Sequence, residues 1–311
     1  MKMNKRVEYL PPLPEGSGEV ISTQQTSALL HLVRLGFGTA GRLFPGAAAR
    51  VAYQLFSTPR VRAKHSVSDH LLESARLFEF LYGRQVLKGY EWGKGEQVIL
   101  LVHGWESRGT ALRSFVPALV GKGYRVVAFD GPAHGNSDGK HTNIMHFAGA
   151  VRAIIRQIGS VHGIITHSFG GASTVFALSN THPAIEVEKL VLIGVPNRMT
   201  RVLNEAAASM KLPTRVKKRF WDLLERKLGT PLDQADLSKA ADRVKVKDLL
   251  IVHDRFDPVV AFRSAEEIHE AWEDSTLLIS EGYGHYRLMK NSDLVRRVTE
   301  FIDVCVTVPV P

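Results

Sequence analysis

Six short apolar runs, QVILLVH, YRVVAFD, GIITHS, KLVLIGV, DLLIVHD and STLLIS, recur from Gln97 onward, separated by stretches of helical spacing. Each is rich in aliphatic and β-branched residues and apolar at nearly every position, as a strand covered on both faces must be. Between them Ile144, Phe147, Ala148, Val151, Ile154, Ile155 and Ile158 fall on one helical face, with Arg152 and Arg156 on the other. Parallel neighbours need crossover connections, and helices are the usual ones. The pattern therefore predicts an α/β fold: a mostly parallel open sheet with helices on both faces. With 311 residues, 44% of them apolar, the chain is long enough to bury such a core.

One interval breaks the rhythm. Between Val195 and Asp248 lie some fifty polar, helix-forming residues, where one crossover helix would need far fewer. A helical cap inserted over residues 198–247 is the economical expectation. Residues 1–65 are expected to form an N-terminal helical extension, and 66–311 the α/β domain. From Val20 to Ser68 there is no Asp or Glu, and Arg34, Arg42 and Arg50 interrupt an otherwise apolar stretch too often for a spanning helix. Two short helices broken near Pro45-Gly46 fit, packing on protein or on a membrane surface. Residues 27–57 are thus the candidate for a peripheral membrane contact.

Gly36-Phe-Gly38-Thr-Ala-Gly41 matches a dinucleotide-binding string, but LHLVRL before it reads poorly as a strand and no acid follows at the spacing a ribose needs. No cofactor is expected. The first sixteen residues carry no apolar run that would serve as a signal or a span, and the sole cysteine, Cys305, can form no internal disulfide; a cytoplasmic location is expected. The net charge of +9 comes from two places. Nine Lys or Arg against three Glu lie up to Lys64, and thirteen against six acids from Arg198 to Lys247. The remaining core is mildly acidic and carries no nucleic-acid module, so no nucleic-acid partner is expected.

Ligands of open α/β sheets sit beyond the carboxyl ends of the strands. The residues there are His103-Gly104-Trp105, Asp130-Gly131-Pro132-Ala133-His134-Gly135, His167-Ser168-Phe169-Gly170, Asp254-Arg255-Phe256-Asp257 and Gly282-Tyr283-Gly284-His285. A serine, an acid and a histidine stand at separate strand ends in that order. The pattern, over roughly residues 85–305, resembles the α/β-hydrolase superfamily in its serine esterase-like branch. Gly170 and Gly171 after Ser168 suit the sharp strand-turn-helix that lifts a nucleophile clear of the sheet, while Thr166 stands where that family usually has glycine.

The resemblance implies catalytic roles for Ser168 as nucleophile, His285 as general base and Asp257 as the acid that orients it. Asp257 is preferred to Asp254 because HDRFDPVV matches the family's strand-end pattern. It likewise implies an oxyanion hole from the backbone N–H groups of Trp105 and Phe169. A serine at the elbow, not an aspartate, disfavours cleavage of carbon–halogen bonds and epoxides. His134, His141 and His146 lack the carboxylate or cysteine spacing of a metal site, and no metal is expected. The expected function is a serine hydrolase cleaving a carboxylic-ester-type bond of a small-molecule acyl substrate through an acyl-enzyme, with anionic substrates favoured by the basic cap. The alternatives are the same site acting on a thioester, amide, peptide or carbon–carbon bond, or a ligand- or membrane-surface-binding protein without turnover. Nothing in the sequence assigns an oligomeric state.

Overall fold

The computed structural model describes residues 5–13, 28–63, 65, 69–229 and 231–303. Ser27, at the edge of the membrane-contact candidate, and Cys305 lie outside them. Among the described residues one sheet holds nine strands: β1 (Arg6–Tyr9), β2 (Arg76–Tyr82), β3 (Gln85–Trp92), β4 (Val98–Val102), β5 (Arg125–Phe129), β6 (Gly163–His167), β7 (Glu186–Ile193), β8 (Lys245–Asp254) and β9 (Ser275–Ser280). They lie in the order β1-β9-β8-β7-β6-β4-β5-β3-β2. Every pairing is parallel except β2 with β3 and β3 with β5.

The six apolar runs are β4 to β9, and β4 and β6 are buried at every position. One face of the sheet carries the helices Ile144–Ile158, Phe169–Ser179 and Arg263–Ala271, packed over Leu100, Ile164 and Leu192. The other carries Val116–Gly121 and Ser292–Asp303, packed over Ile99, Ile165 and Val191. Alternate residues of each central strand thus feed opposite layers, which explains why neither polar nor apolar alternation shows in the sequence.

Three strands depart from the expectation. β1 lies inside the segment 1–65 expected to be helical; it pairs with β9 at the sheet edge, and Glu8 is clasped there by both Nε and Nη2 of Arg297 at 2.7 and 2.8 Å. β2 and β3 form a hairpin beyond the parallel strands. Mixed exposure along β2, with Glu79 of that strand ion-paired to Lys88 of β3, breaks the apolar run by which the buried strands are read.

Between β7 and β8 stand the helices Met199–Ser209 and Thr214–Leu228 and two further short turns of helix. Against them pack three helices from near the N-terminus, Ala28–Gly38, Ala40–Leu43 and Pro45–Ser57. Phe37, Ala49 and Ala52 share a buried cluster with Leu203, Phe220 and Leu224, and the rings of Phe56 and Phe220 meet edge to face at 5.9 Å. The Gly36–Gly41 string falls on two of these helices, with no strand leading into it.

Ile164 is wholly buried in the middle of the sheet. Ile164→Ala should lower unfolding free energy by about 2–5 kcal/mol in urea titrations, the range for truncating a buried aliphatic side chain. A loss under about 1 kcal/mol would contradict this account of the core.

Candidate active site

Ser168 follows the last residue of β6 and precedes the helix Phe169–Ser179, with φ 52° and ψ −125°. Such a conformation is strained for any residue with a side chain, costing about 1–3 kcal/mol. The surroundings enforce it. The Ser168 N–H donates to Ile193 O at 2.9 Å, and the following helix is drawn tightly onto two strand ends. A Cβ at position 170 would lie 2.2 Å from His103 O, and one at 171 would lie 2.4 Å from Val195 Cγ2 and 2.8 Å from Thr166 Oγ1. Glycine at both positions is therefore a packing requirement. Thr166, where the family pattern has glycine, is wholly buried and donates its hydroxyl to Val191 O at 2.8 Å.

His285 is buried in the short helical turn Gly284–Arg287 that follows β9, and its Nδ1–H donates to Asp257 Oδ2 at 2.7 Å. That bond leaves Nε2 as the free acceptor. The carboxylate is fixed on its other oxygen, where Oδ1 accepts the N–H groups of Val259 and Val260 at 2.7 and 2.9 Å. Burial alone would raise the Asp257 pKa, but the hydrogen bond and electrostatic attraction of His285 together with the two amides outweigh it and hold the group below the ordinary carboxylate value. Asp254 has different work. Its oxygens accept from Phe256 N, Ser280 Oγ and Tyr283 N, tying the loop that carries Asp257 to the loop that carries His285.

Two contacts draw the histidine and the serine together. His167, the neighbour of Ser168, donates Nε2–H to the carbonyl of His285 at 3.0 Å. Gly194, which follows the acceptor of the Ser168 N–H, lies so close to the pair that a Cβ there would stand 3.2 Å from the His285 ring and 3.5 Å from Asp257 Oδ2. Among the described residues no hydrogen bond joins Ser168 Oγ to His285; in ligand-free sites that contact is commonly long and closes when substrate is bound.

Trp105 and Phe169 face each other across the site, their rings edge to face at 5.2 Å. Phe169 is the first residue of its helix, so its N–H has no partner within the helix and is available to a ligand. The loop of Trp105 is braced by two histidines that sequence reasoning had not assigned to it. His134 Nε2 accepts the Glu106 N–H at 3.0 Å while its Nδ1–H donates to Pro132 O, and His103 joins Gly104 O to Gly131 N. Their place in HG and DGPAHG beside strand ends was the only signal. Desolvation by burial pushes His134 down to about 3, and His167 likewise to about 3. Among the described residues no group of His, Cys, Asp and Glu could hold a metal ion.

A cavity of about 450 Å³ opens beside Ser168. Trp105 and Phe169 line it from the strand ends, Leu203 and Leu224 from the helices between β7 and β8, and Tyr53 and Phe56 from the N-terminal helices. The last pair was not expected at the site, since no pattern in residues 1–65 points to a pocket so distant in sequence.

The model of the Alpha/beta hydrolase family matches residues 99–298. The chain belongs to that family. A pyrethroid hydrolase of Sphingobium wenxiniae is 32% identical over 120 residues, which are 33% of this chain and 43% of that protein. A non-heme haloperoxidase of Rhodococcus erythropolis is 35% identical over 117 residues, 36% of this chain and 41% of its own length. The matches thus span about two fifths of these curated relatives. Among solved structures, an esterase of Pyrococcus furiosus superposes with a TM-score of 0.60 at 20% identity, covering 79% of this chain and 96% of that one. A membrane phospholipase A described as a bacterial virulence factor superposes at 0.58 with 18% identity, covering 88% of this chain and 97% of that one. At such identities these two likenesses concern the fold. No helix among the described residues is long and apolar enough to cross a membrane.

The buried histidines set a pH dependence. His134 and His167 are neutral in the fold but would take up a proton in the unfolded chain below their ordinary value of 6.5. Their contribution to stability is complete above about pH 6.5 and is lost as pH falls towards 3, at about 1.4 kcal/mol per pH unit for each ring. Urea midpoints should fall steadily from pH 6.5 to pH 5, and His134→Gln, which keeps one donor and one acceptor, should have a shallower slope. An unchanged slope in that variant would contradict the assignment.

Proposed function

We propose that this α/β hydrolase cleaves carboxylic-ester-type acyl bonds through a covalent intermediate on Ser168. The observation that carries this reading is the strained backbone of Ser168 beside a buried, aligned Asp257–His285 pair. A strained turn that exposes a hydroxyl has no structural use of its own, and an imidazole whose Nδ1–H is committed to a carboxylate is ready to take a proton at Nε2.

In the proposed cycle Ser168 Oγ attacks the acyl carbon as its proton passes to His285 Nε2. The carbonyl oxygen becomes an oxyanion facing the N–H groups of Trp105 and Phe169, each such donor being worth about 3 kcal/mol in the transition state. Collapse expels the alcohol, which takes the proton back from His285. Water then attacks the acyl-enzyme with His285 again as base, releasing the acid and restoring Ser168. Asp257 stays ionised throughout and stabilises the imidazolium. Hydrolase membership and the similar pyrethroid hydrolase support the reaction class.

The helices of residues 198–247 act in this reading as a cap over the acyl pocket, with the N-terminal helices as its outer wall. Arg198, Arg201 and Lys227 line the cavity together with Glu106 and Glu205, and both arginines are paired to Glu267, so a preference for anionic substrates would come from the basic cap as a whole, thirteen Lys or Arg against six acids, and apparent substrate binding should then weaken as salt rises. A fluorophosphonate should add one phosphonyl group at Ser168, found by mass spectrometry of its peptide, and Ser168→Ala should lose both the adduct and about a thousand-fold or more of ester turnover. Retained labelling or turnover in that variant would remove Ser168 from its role.

A further inference from the structure

Among the described residues thirteen large apolar side chains stand exposed, and five of them, Leu32, Leu35, Leu43, Phe44 and Val51, fall within twenty consecutive positions. They belong to the helices Ala28–Gly38, Ala40–Leu43 and Pro45–Ser57 and the joint between the last two. The other sides of the same helices bury Phe37, Ala49 and Ala52 against the helices between β7 and β8, so the exposed set points away from that contact. Leu43 is 76% exposed and Phe44 66%. Solvent exposure of this many large apolar side chains on adjoining helices is unfavourable, and apolar surface of this kind marks an interaction site.

The charge around it identifies the partner. No Asp or Glu occurs from Val20 to Ser68, and Arg42 and Arg50 are exposed among the apolar residues. A two-fold contact through these helices would bring their arginines near one another, with no acid between Val20 and Ser68 to meet them. Nucleic acid would satisfy the arginines and leave the aliphatic side chains in water. Only a surface carrying phosphates above hydrocarbon answers both. We propose that this face docks on an anionic lipid bilayer, with Leu43 and Phe44 seated among acyl chains and Arg42 and Arg50 among the lipid phosphates. The helices have 11, 4 and 13 residues, too short to cross, so they lie on the surface. The helix Pro45–Ser57 also lines the cavity beside Ser168 through Tyr53, Leu55 and Phe56, which places the outer wall of the pocket at the membrane.

The full chain should co-sediment with phosphatidylcholine vesicles containing phosphatidylglycerol, weakly with phosphatidylcholine alone, and less as salt rises. The double variants Leu43→Glu/Phe44→Glu and Arg42→Glu/Arg50→Glu should each lose about ten-fold or more of the anionic-vesicle partitioning. None of these four residues lines the cavity, so turnover of a soluble short-chain ester should be unchanged and reports that the variants are folded. Failure of the unaltered chain to bind anionic vesicles, or equal binding by both variants, overturns the proposal. So does a concentration-dependent dimer that Leu43→Glu dissociates, which would give the face to a second copy. The docking face does not depend on the chemistry proposed for Ser168: vesicle binding without ester turnover supports the face and sinks the chemistry.

Discussion

The hydrogen bond from His285 Nδ1 to Asp257 is the interaction on which the site depends. Removing a carboxylate from water is costly unless every lone pair is answered, and here two amides take one oxygen while the imidazole takes the other. The arrangement makes the pair electrostatically asymmetric. A charge that develops on the ring is met by a fixed anion, whereas a neutral ring can turn only by abandoning the carboxylate. Around this bond the fold has placed His167 on the His285 carbonyl, Asp254 across the two loops, and, at 194, a glycine with φ 58° whose Cβ would crowd the ring at 3.2 Å.

Strain and packing meet at the neighbouring serine. Its backbone conformation is unfavourable alone, and it persists because the helix behind it is held within contact distance of β4 and β7 by two residues with no side chains. Thr166 fits the same space by turning its hydroxyl onto Val191 O, so the departure from the family's glycine is absorbed by one hydrogen bond. The elbow is therefore a property of the sheet and helix together.

Much of this was legible in the sequence. The central strands carry an unbroken apolar signal because both of their faces are covered, and the strand ends could be read as a list of polar residues in a fixed order. The edge was less legible for the opposite reason. β2 and β3 have mixed exposure and carry a Lys88–Glu79 pair, and β1 is four residues held by Arg297, nearly three hundred positions away. Residues joined only by tertiary packing were hardly legible either, His134 showing no more than its place beside a strand end. His134 beneath the Trp105 loop and Tyr53 and Phe56 in the cavity wall belong to segments whose local patterns speak of a turn and of short helices. The pocket is thus a composite of three parts of the chain, and its selectivity should reside in the two that flank the α/β core.

In the proposed reaction the Ser168 hydroxyl, the His285 imidazole and the amides of Trp105 and Phe169 converge on one reacting carbon. A crystal structure of the protein carrying a phosphonate ester on Ser168 tests it most directly. The account predicts the phosphoryl oxygen about 3 Å from the N–H groups of Trp105 and Phe169, with His285 Nε2 turned toward the oxygen of the leaving group. An adduct whose phosphoryl oxygen points into solvent, with the His285 ring out of reach, would contradict it.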